Sequence, residues 1–331
     1  MNVYMNRERI QWIDWMKVIG MYFIIAGHLF PKGYTYIYIF NVPIFFIISG
    51  FLYKHEKNNI LFLKKIFFNY ICPVVIIRTI MYFWEKYTNN NSDAFFSLFE
   101  YWFYMLKGQQ NCIGACWFIY TLILIKCLFQ YITIKKILIA ILLLLTGTAI
   151  VFNIYNIHKN NAILNVIVSI QPFAIGYYLR KYKDVLIKYH ISKVSFFLLF
   201  AFSISIIFLC GKTNGNVWLY QNGYGKSIIL YLIGIISGTI FLFIFAKLFE
   251  NKNYRFISIL STGNILTLGF HQFFVNVIQM NFNTDNFFSY ALAFIILILF
   301  IPLIIICKAY FPFILGIYHP SSNKAYDTQK K

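Results

Sequence analysis

Acidic side chains are scarce in this chain: Asp and Glu together number 10 among 331 residues, and all charged residues make up 12%. Soluble domains carry about 25% charged residues, so there is too little polar surface here to wrap a water-soluble globule. The same scarcity argues against an ion-coupled transporter, which needs carboxylates at the midplane of its spans; Asp14 alone is placed within a predicted span. Cysteine is sparse as well, with six residues at Cys72, Cys112, Cys116, Cys127, Cys210 and Cys307. Four of them sit in apolar runs and read as small core residues. Cys112 and Cys116 share a loop and can pair if that loop faces an oxidising compartment. No Cys/His spacing resembles a zinc site. No cleavable signal peptide is expected, because Met1–Gln11 is polar and the first apolar run continues into a full span. Internal repeats and a second, soluble domain are also missing, so the chain reads as one domain.

What is present is apolar. Hydrophobic residues make up 60% and aromatic ones 21%, and runs such as Ile137–Phe152 and Tyr290–Cys307 are almost unbroken. In hydrocarbon only helices and closed barrels satisfy their own backbone, and the runs lack the alternation of a barrel strand. The fold class is therefore an all-α polytopic transmembrane bundle. A span needs about 20 apolar residues, which predicts ten: 12–31, 36–53, 66–84, 114–132, 137–153, 162–180, 194–211, 226–246, 257–280 and 288–309. The short aromatic segment 94–105 reads as an interfacial or re-entrant helix, and 310–331 as a tail.

The net charge of +19 falls in short clusters between apolar segments, the pattern of cytoplasmic loops rather than of a nucleic-acid interface. Of the 29 Lys and Arg, 21 lie on one set of loops and 6 on the alternate set, with Arg78 and Lys126 inside predicted spans. The first set, which holds Lys64, Lys65 and Arg180 as well as both termini, is expected to be cytoplasmic. That bias predicts a multi-pass protein of the cell (inner) membrane.

The first span places Asp14, Lys17 and His28 in register. Lys17 and His28 are eleven residues apart, three turns plus roughly 20°, so they share one helix face about 16 Å apart along the axis. Asp14, three residues before Lys17, is close enough to pair with it. The alternative is an interfacial anchor plus a helix-end histidine, but ionisable groups inside spans are functional by default. In the second span Pro43 frees a backbone carbonyl, Asn41 sits at about the depth of His28, and Ser49-Gly50 permits close helix packing.

Asp14-x-x-Lys17 followed by His28, then Asn41-x-Pro43-x-Phe45-Phe46-x-x-Ser49-Gly50, resembles the acyltransferase-3 family, most closely its fucose-4-O-acetylase-like branch. Cys116-Trp117-Phe118, Phe173-x-x-Gly176-Tyr177 and Gly269-Phe270-His271 resemble its later elements. The likeness covers roughly residues 7–310. It implies a ten-span enzyme that moves an acetyl group from acetyl-CoA, a cosubstrate rather than a resident cofactor, to a hydroxyl of an envelope glycan. That acceptor would be a capsule, O-antigen or exopolysaccharide, or a lipid-linked precursor. The family's basic-x10-His motif maps onto Lys17 and His28, with Lys where many members have Arg. Members usually carry Arg shortly before the proline that opens the third span; here Asn69 stands near that position, and Lys64 and Lys65 are the nearest cations.

On that reading the CoA phosphates meet Lys64, Lys65, and Lys17 or Arg180. The pantetheine arm threads inward along the first helix, and His28 is the general base. Asn41, Trp117 or His271 would orient the acceptor or polarise the carbonyl, with Asp14 and Ser49 in support; His271 reads equally as a hydrogen-bonded helix–helix contact. His55, His158, His190 and His319 lie in loops or the tail and read as solvated. The outer loop 212–225, rich in Asn, Gly and aromatics, suits sugar contact or is a floppy connector. The competing classes are a glycan flippase or transporter and a lipid-linked glycan polymerase, which would want a large basic outer loop.

Overall fold

The computed structural model describes residues 9–88, 97–252 and 254–317. Every regular element among them is helical, and a lone β-bridge pairs Gln109 with Asn161. In order these are α1 (Gln11–His28), α2 (Tyr34–Tyr38), α3 (Pro43–Leu52), α4 (Asn59–Ile66), α5 (Cys72–Thr88), α6 (Leu98–Leu106), α7 (Gln110–Ile113) and α8 (Trp117–Tyr131). They continue with α9 (Lys135–Ile154), α10 (Val166–Leu179), α11 (Lys183–Lys188), α12 (Lys193–Asn214), α13 (Ile228–Leu248), α14 (Arg255–Thr262), α15 (Asn264–Asn281) and α16 (Phe288–Tyr310). Among the described residues seven stretches are long and apolar enough to cross a membrane: Tyr34–Leu52, Asn59–Tyr87, Gln110–Tyr131, Lys135–Ile154, Lys193–Gln221, Ile228–Leu248 and Phe288–Tyr310. The other three predicted spans correspond to α1, α10 and the consecutive pair α14–α15.

The outer faces are apolar. Leu143 and Leu144 on α9 and Phe197, Leu198 and Phe202 on α12 are all exposed, a surface that water would penalise and hydrocarbon solvates. The core lies around α1, which packs against α3, α13, α14, α15 and α16. Ile24, Ile25, Ala26 and Gly27 form one fully enclosed turn of it.

The closest helix pair is α3 with α10. A Cβ at Gly50 would fall 2.1 Å from the Phe173 carbonyl oxygen, and one at Gly176 would fall 1.9 Å from that of Ile47. Both glycines are therefore required by backbone-to-backbone contact.

Several predicted spans are interrupted. Pro43 has no N–H to donate, so the helix expected over 36–53 breaks into α2 and α3, and the Asn41 side chain accepts from the Val42 N–H at 2.8 Å. The helix expected over 66–84 begins with a π turn at Phe67–Ile71. The one expected over 114–132 starts with a 3-10 turn at Gly114–Cys116. That over 257–280 is divided at Gly263. Chain beyond α16 does not leave the bundle at once, as a tail from 310 would: Pro312–Leu315 forms a turn against α5 and α15, with Leu315 buried. Helix α6 confirms a short element within the interfacial segment, closed by a Ser97–Glu100 capping box; its predicted first residues, and His319, lie outside the described residues. Cys112 and Cys116 are both buried free thiols, so the pairing allowed by their shared loop is not formed.

Candidate active site

One stripe of α1 carries Lys17, Met21, Ile24 and His28, at spacings of four, three and four residues that keep them on a single face. Lys17, Met21 and Ile24 line a half-open cavity of about 210 Å³. Its other walls include Ser49 of α3, Tyr70 of the π turn, and Asn264 and Leu268 of α15. The cavity thus begins at Lys17 and ends one turn short of His28, since Ile24 is four residues below it. The π turn matters for this geometry: an extra residue in a helical turn re-aims its neighbours, and here Tyr70 joins the cavity wall.

At the far end two imidazoles meet. The rings of His28 and His271 have centroids 5.0 Å apart and are tilted by 47°. His271 is fully buried. Its Nδ1 lies 2.8 Å from the Leu268 carbonyl oxygen and 3.2 Å from that of Thr267. Two carbonyl acceptors require an N–H at Nδ1, so the neutral ring keeps its lone pair on Nε2. That Nε2 has no hydrogen-bond partner among the described residues. His28 is half-buried at the C-terminus of α1, and its carbonyl oxygen accepts from Gln279 Nε2 at 2.9 Å. Helix α15 is therefore fastened to α1 beside the paired rings. A buried polar atom without a partner calls for an explanation.

Residues 10–307 match the family of acyltransferase domains known as acyltransferase-3. The chain belongs to that family. No curated protein and no solved structure matches it. The residues expected to serve this membrane acyltransferase fall into three groups in the structure.

The first group is at the site. His28 and His271 face each other, and Lys17 and Ser49 share the cavity. Asn41 is buried against α1: its Nδ2 donates to the Phe23 carbonyl at 3.5 Å and would lie 3.0 Å from a Cβ at Gly27. It is therefore level with His28, behind the helix.

The second group is near the site but otherwise engaged. Asp14 does not pair with Lys17. Its carboxylate is taken by Arg9 and by the Ser261 hydroxyl, which donates at 2.5 Å. Arg9 also binds Ser258, so Asp14 ties the start of α1 to α14. Lys17 has no ion pair among the described residues. Trp117 opens α8, whose next residues Phe118, Ile119 and Leu122 line the cavity while Trp117 does not.

The third group is remote. Lys64 is exposed on α4, and Lys65 pairs with Glu56. Arg180 donates to the carbonyl oxygens of Phe51 at 3.1 Å and Tyr53 at 2.7 Å, capping the C-terminal end of α3.

Two further residues belong to the site although motif reasoning assigned them nothing. Lys126, on α8, donates to the Tyr70 hydroxyl at 2.5 Å and sits 4.5 Å over its ring. With Lys17 on the same wall, two ammonium groups flank one phenol. The signal was available, because Lys126 is a cation inside an apolar run. Arg78 carried the same signal but is spent on structure. It is buried, and donates to Cys112 O at 2.8 Å, Tyr101 Oη at 2.6 Å and Glu85 at 3.3 Å.

Proposed function

We propose that this acyltransferase moves an acetyl group from cytoplasmic acetyl-CoA to a hydroxyl of an envelope glycan, with His28 as general base, in the manner of the fucose-4-O-acetylase-like branch. The observation that carries the reading is the alignment of a cavity that starts at an unpaired lysine with a pair of facing histidines one turn beyond its end. A pantetheine arm is long and narrow, and the Lys17-to-His28 interval of about 16 Å is of its scale. The ammonium group of Lys17, with Lys126 across Tyr70, offers positive charge to the anionic end of the donor. Of the cations the sequence offers for that role, Lys17, Lys64, Lys65 and Arg180, the ion pair of Lys65 and the helix cap made by Arg180 favour Lys17, and Lys126 joins it.

The reaction runs as one transfer. The acceptor O–H gives its proton to His28 while its oxygen forms a bond to the thioester carbonyl carbon. The C–S bond then breaks, and the departing thiolate takes the proton back from the imidazolium. His271 lies close enough for its free lone pair to stabilise positive charge on His28 as it develops.

Ten crossings and cytoplasmic termini are part of the proposal. Helix α1 runs parallel to the consecutive pair α14–α15, since Asp14 meets Ser261 of α14 at one end and His28 meets Gln279 of α15 at the other. In a ten-span chain they are the first and ninth crossings, which must run the same way.

The test is transfer from labelled acetyl-CoA in inside-out membrane vesicles of the host. His28→Ala should lower transfer by about 10²–10⁴-fold, the usual worth of a general base, at unchanged protein level. Wild-type transfer in the variant sinks the catalytic assignment, and no binding of acyl-CoA to the wild-type protein sinks the donor.

A further inference from the structure

Where α1 ends, the backbone does something unusual. Among the described residues three other than glycine have positive φ: Phe30 at 49°, Asn156 at 52° and Asn222 at 61°. Asparagine enters the left-handed region readily, whereas a bulky aromatic does so rarely. Strain of this kind persists where the surroundings enforce it, and it concentrates at functional sites. Its effect here is to turn the Phe30 ring, two residues past His28, back over the bundle end, where it remains exposed.

Phe30 lies nearly parallel to Tyr38, with centroids 6.2 Å apart and planes within 14°. Tyr38 in turn meets Trp218 at 5.1 Å, and Trp218 lies 6.4 Å from Phe30. Tyr34 borders both Phe30 and Tyr38, at 5.4 and 5.8 Å. This is not a row of interfacial aromatics pointing into lipid. Tyr38 leans on Gly27, the residue next to His28, and its hydroxyl donates to the Gly27 carbonyl at 3.4 Å.

The loop that carries Trp218 is built rather than floppy. The Asn214 side chain donates to Tyr224 O and accepts from Ser227 N, both at 2.7 Å, and Gln110 donates to Tyr220 O. Val217, Leu219 and Tyr224 are buried beneath it. Trp218 is therefore held in place, yet neither its indole N–H nor the Tyr34 hydroxyl makes a hydrogen bond to any described residue.

We propose that Phe30, Tyr38 and Trp218 form a shelf that takes the apolar face of a pyranose ring of the acceptor, with the Trp218 N–H and Tyr34 hydroxyl reaching its hydroxyls. Aromatic faces with polar handles at the rim are the chemistry that binds a ring apolar on its faces and polar at its edge. The shelf adjoins the end of α1 through Tyr38 and Gly27, the residue before His28, so a ring seated there lies at the end of the helix that carries the base. This inference rests on the glycan acceptor proposed above.

Saturation-transfer NMR of the full-length protein in detergent, with methyl glycosides of glucose, galactose, mannose, fucose and N-acetylglucosamine as probes, tests it. At least one glycoside should receive saturation at the C–H protons of one ring face. Trp218→Ala should reduce that signal at least tenfold, and Trp218→Phe should keep most of it. Acetyl-CoA binding by Trp218→Ala at the wild-type level shows that the variant is folded. Absence of saturation for every glycoside, or full saturation in Trp218→Ala, overturns the shelf. Trp218-dependent saturation in a protein that transfers no acetyl group would overturn the proposed reaction and leave the shelf standing.

Discussion

Lys17 looks, in the sequence, like half of an ion pair, because Asp14 precedes it by one helical turn. Long-range contacts decide otherwise: Asp14 is claimed by Arg9 and by Ser261, the latter 247 residues away. The consequence is a lysine facing a cavity without an ion-pair partner among the described residues. Hydrogen bonds to charged groups contribute about 1.5–3 kcal/mol each, which is roughly 10- to 100-fold in affinity. Replacing Lys17 with Met is therefore expected to raise KM for acetyl-CoA by about 10- to 100-fold while kcat changes less, and Lys17→Arg should retain most of the affinity. Steady-state transfer against donor concentration measures both; a Lys17→Met enzyme with wild-type KM would remove Lys17 from the donor site. What could be read from the chain at this scale was the Lys17–His28 stripe, which depends only on helical period. The Tyr70–Lys126 contact spans 56 residues, and no periodicity reports a pairing between different helices.

Element positions follow from length and apolar content, and the predicted 137–153 and 288–309 lie within Lys135–Ile154 and Phe288–Tyr310. The interruptions at Phe67–Ile71 and Gly263 were not legible, because a π turn or a one-residue break leaves hydropathy almost unchanged. Gly50 and Gly176 show where local pattern and packing coincide. At each, a methyl group would land about 2 Å from a carbonyl oxygen of the facing helix, and the obstacle is backbone, which has no rotamer to yield. Forcing extra carbon into a packed core costs about 1–3 kcal/mol and sometimes more. Gly50→Ala and Gly176→Ala are each expected to lower thermal stability in detergent by that order. Gly147→Ala on α9 is the control: nothing lies within 4 Å of the added methyl, and alanine is favoured over glycine in a helix by up to about 1 kcal/mol. Equal melting temperatures for Gly50→Ala and Gly147→Ala would mean that α3 and α10 do not touch through these residues.

For the whole molecule, function depends on which end of α1 faces the cytoplasm. If the basic loops are inside, Lys17 lies toward the cytoplasm, where acetyl-CoA is made, and the His28–His271 pair and aromatic shelf lie toward the outer side, where envelope glycans are. Inverting the protein would put the unpaired lysine on the side without donor, so topology and mechanism stand or fall together. The charge bias over short loops predicts this orientation, and the parallel course of α1 and α15 constrains the number of crossings between them to an odd count. Single cysteines introduced into a background lacking the six native ones can read it directly. A membrane-impermeant maleimide applied to intact cells with a permeabilised outer envelope should label Lys32→Cys and Lys159→Cys. Lys64→Cys and Lys188→Cys should react only after the membrane is opened. Labelling of Lys64→Cys from outside would reverse the bundle and remove the basis for a cytoplasmic donor at Lys17. Labelling of both Lys32→Cys and Lys64→Cys from the same side would break the span count at its first pair of crossings, where Pro43 interrupts α2 and α3.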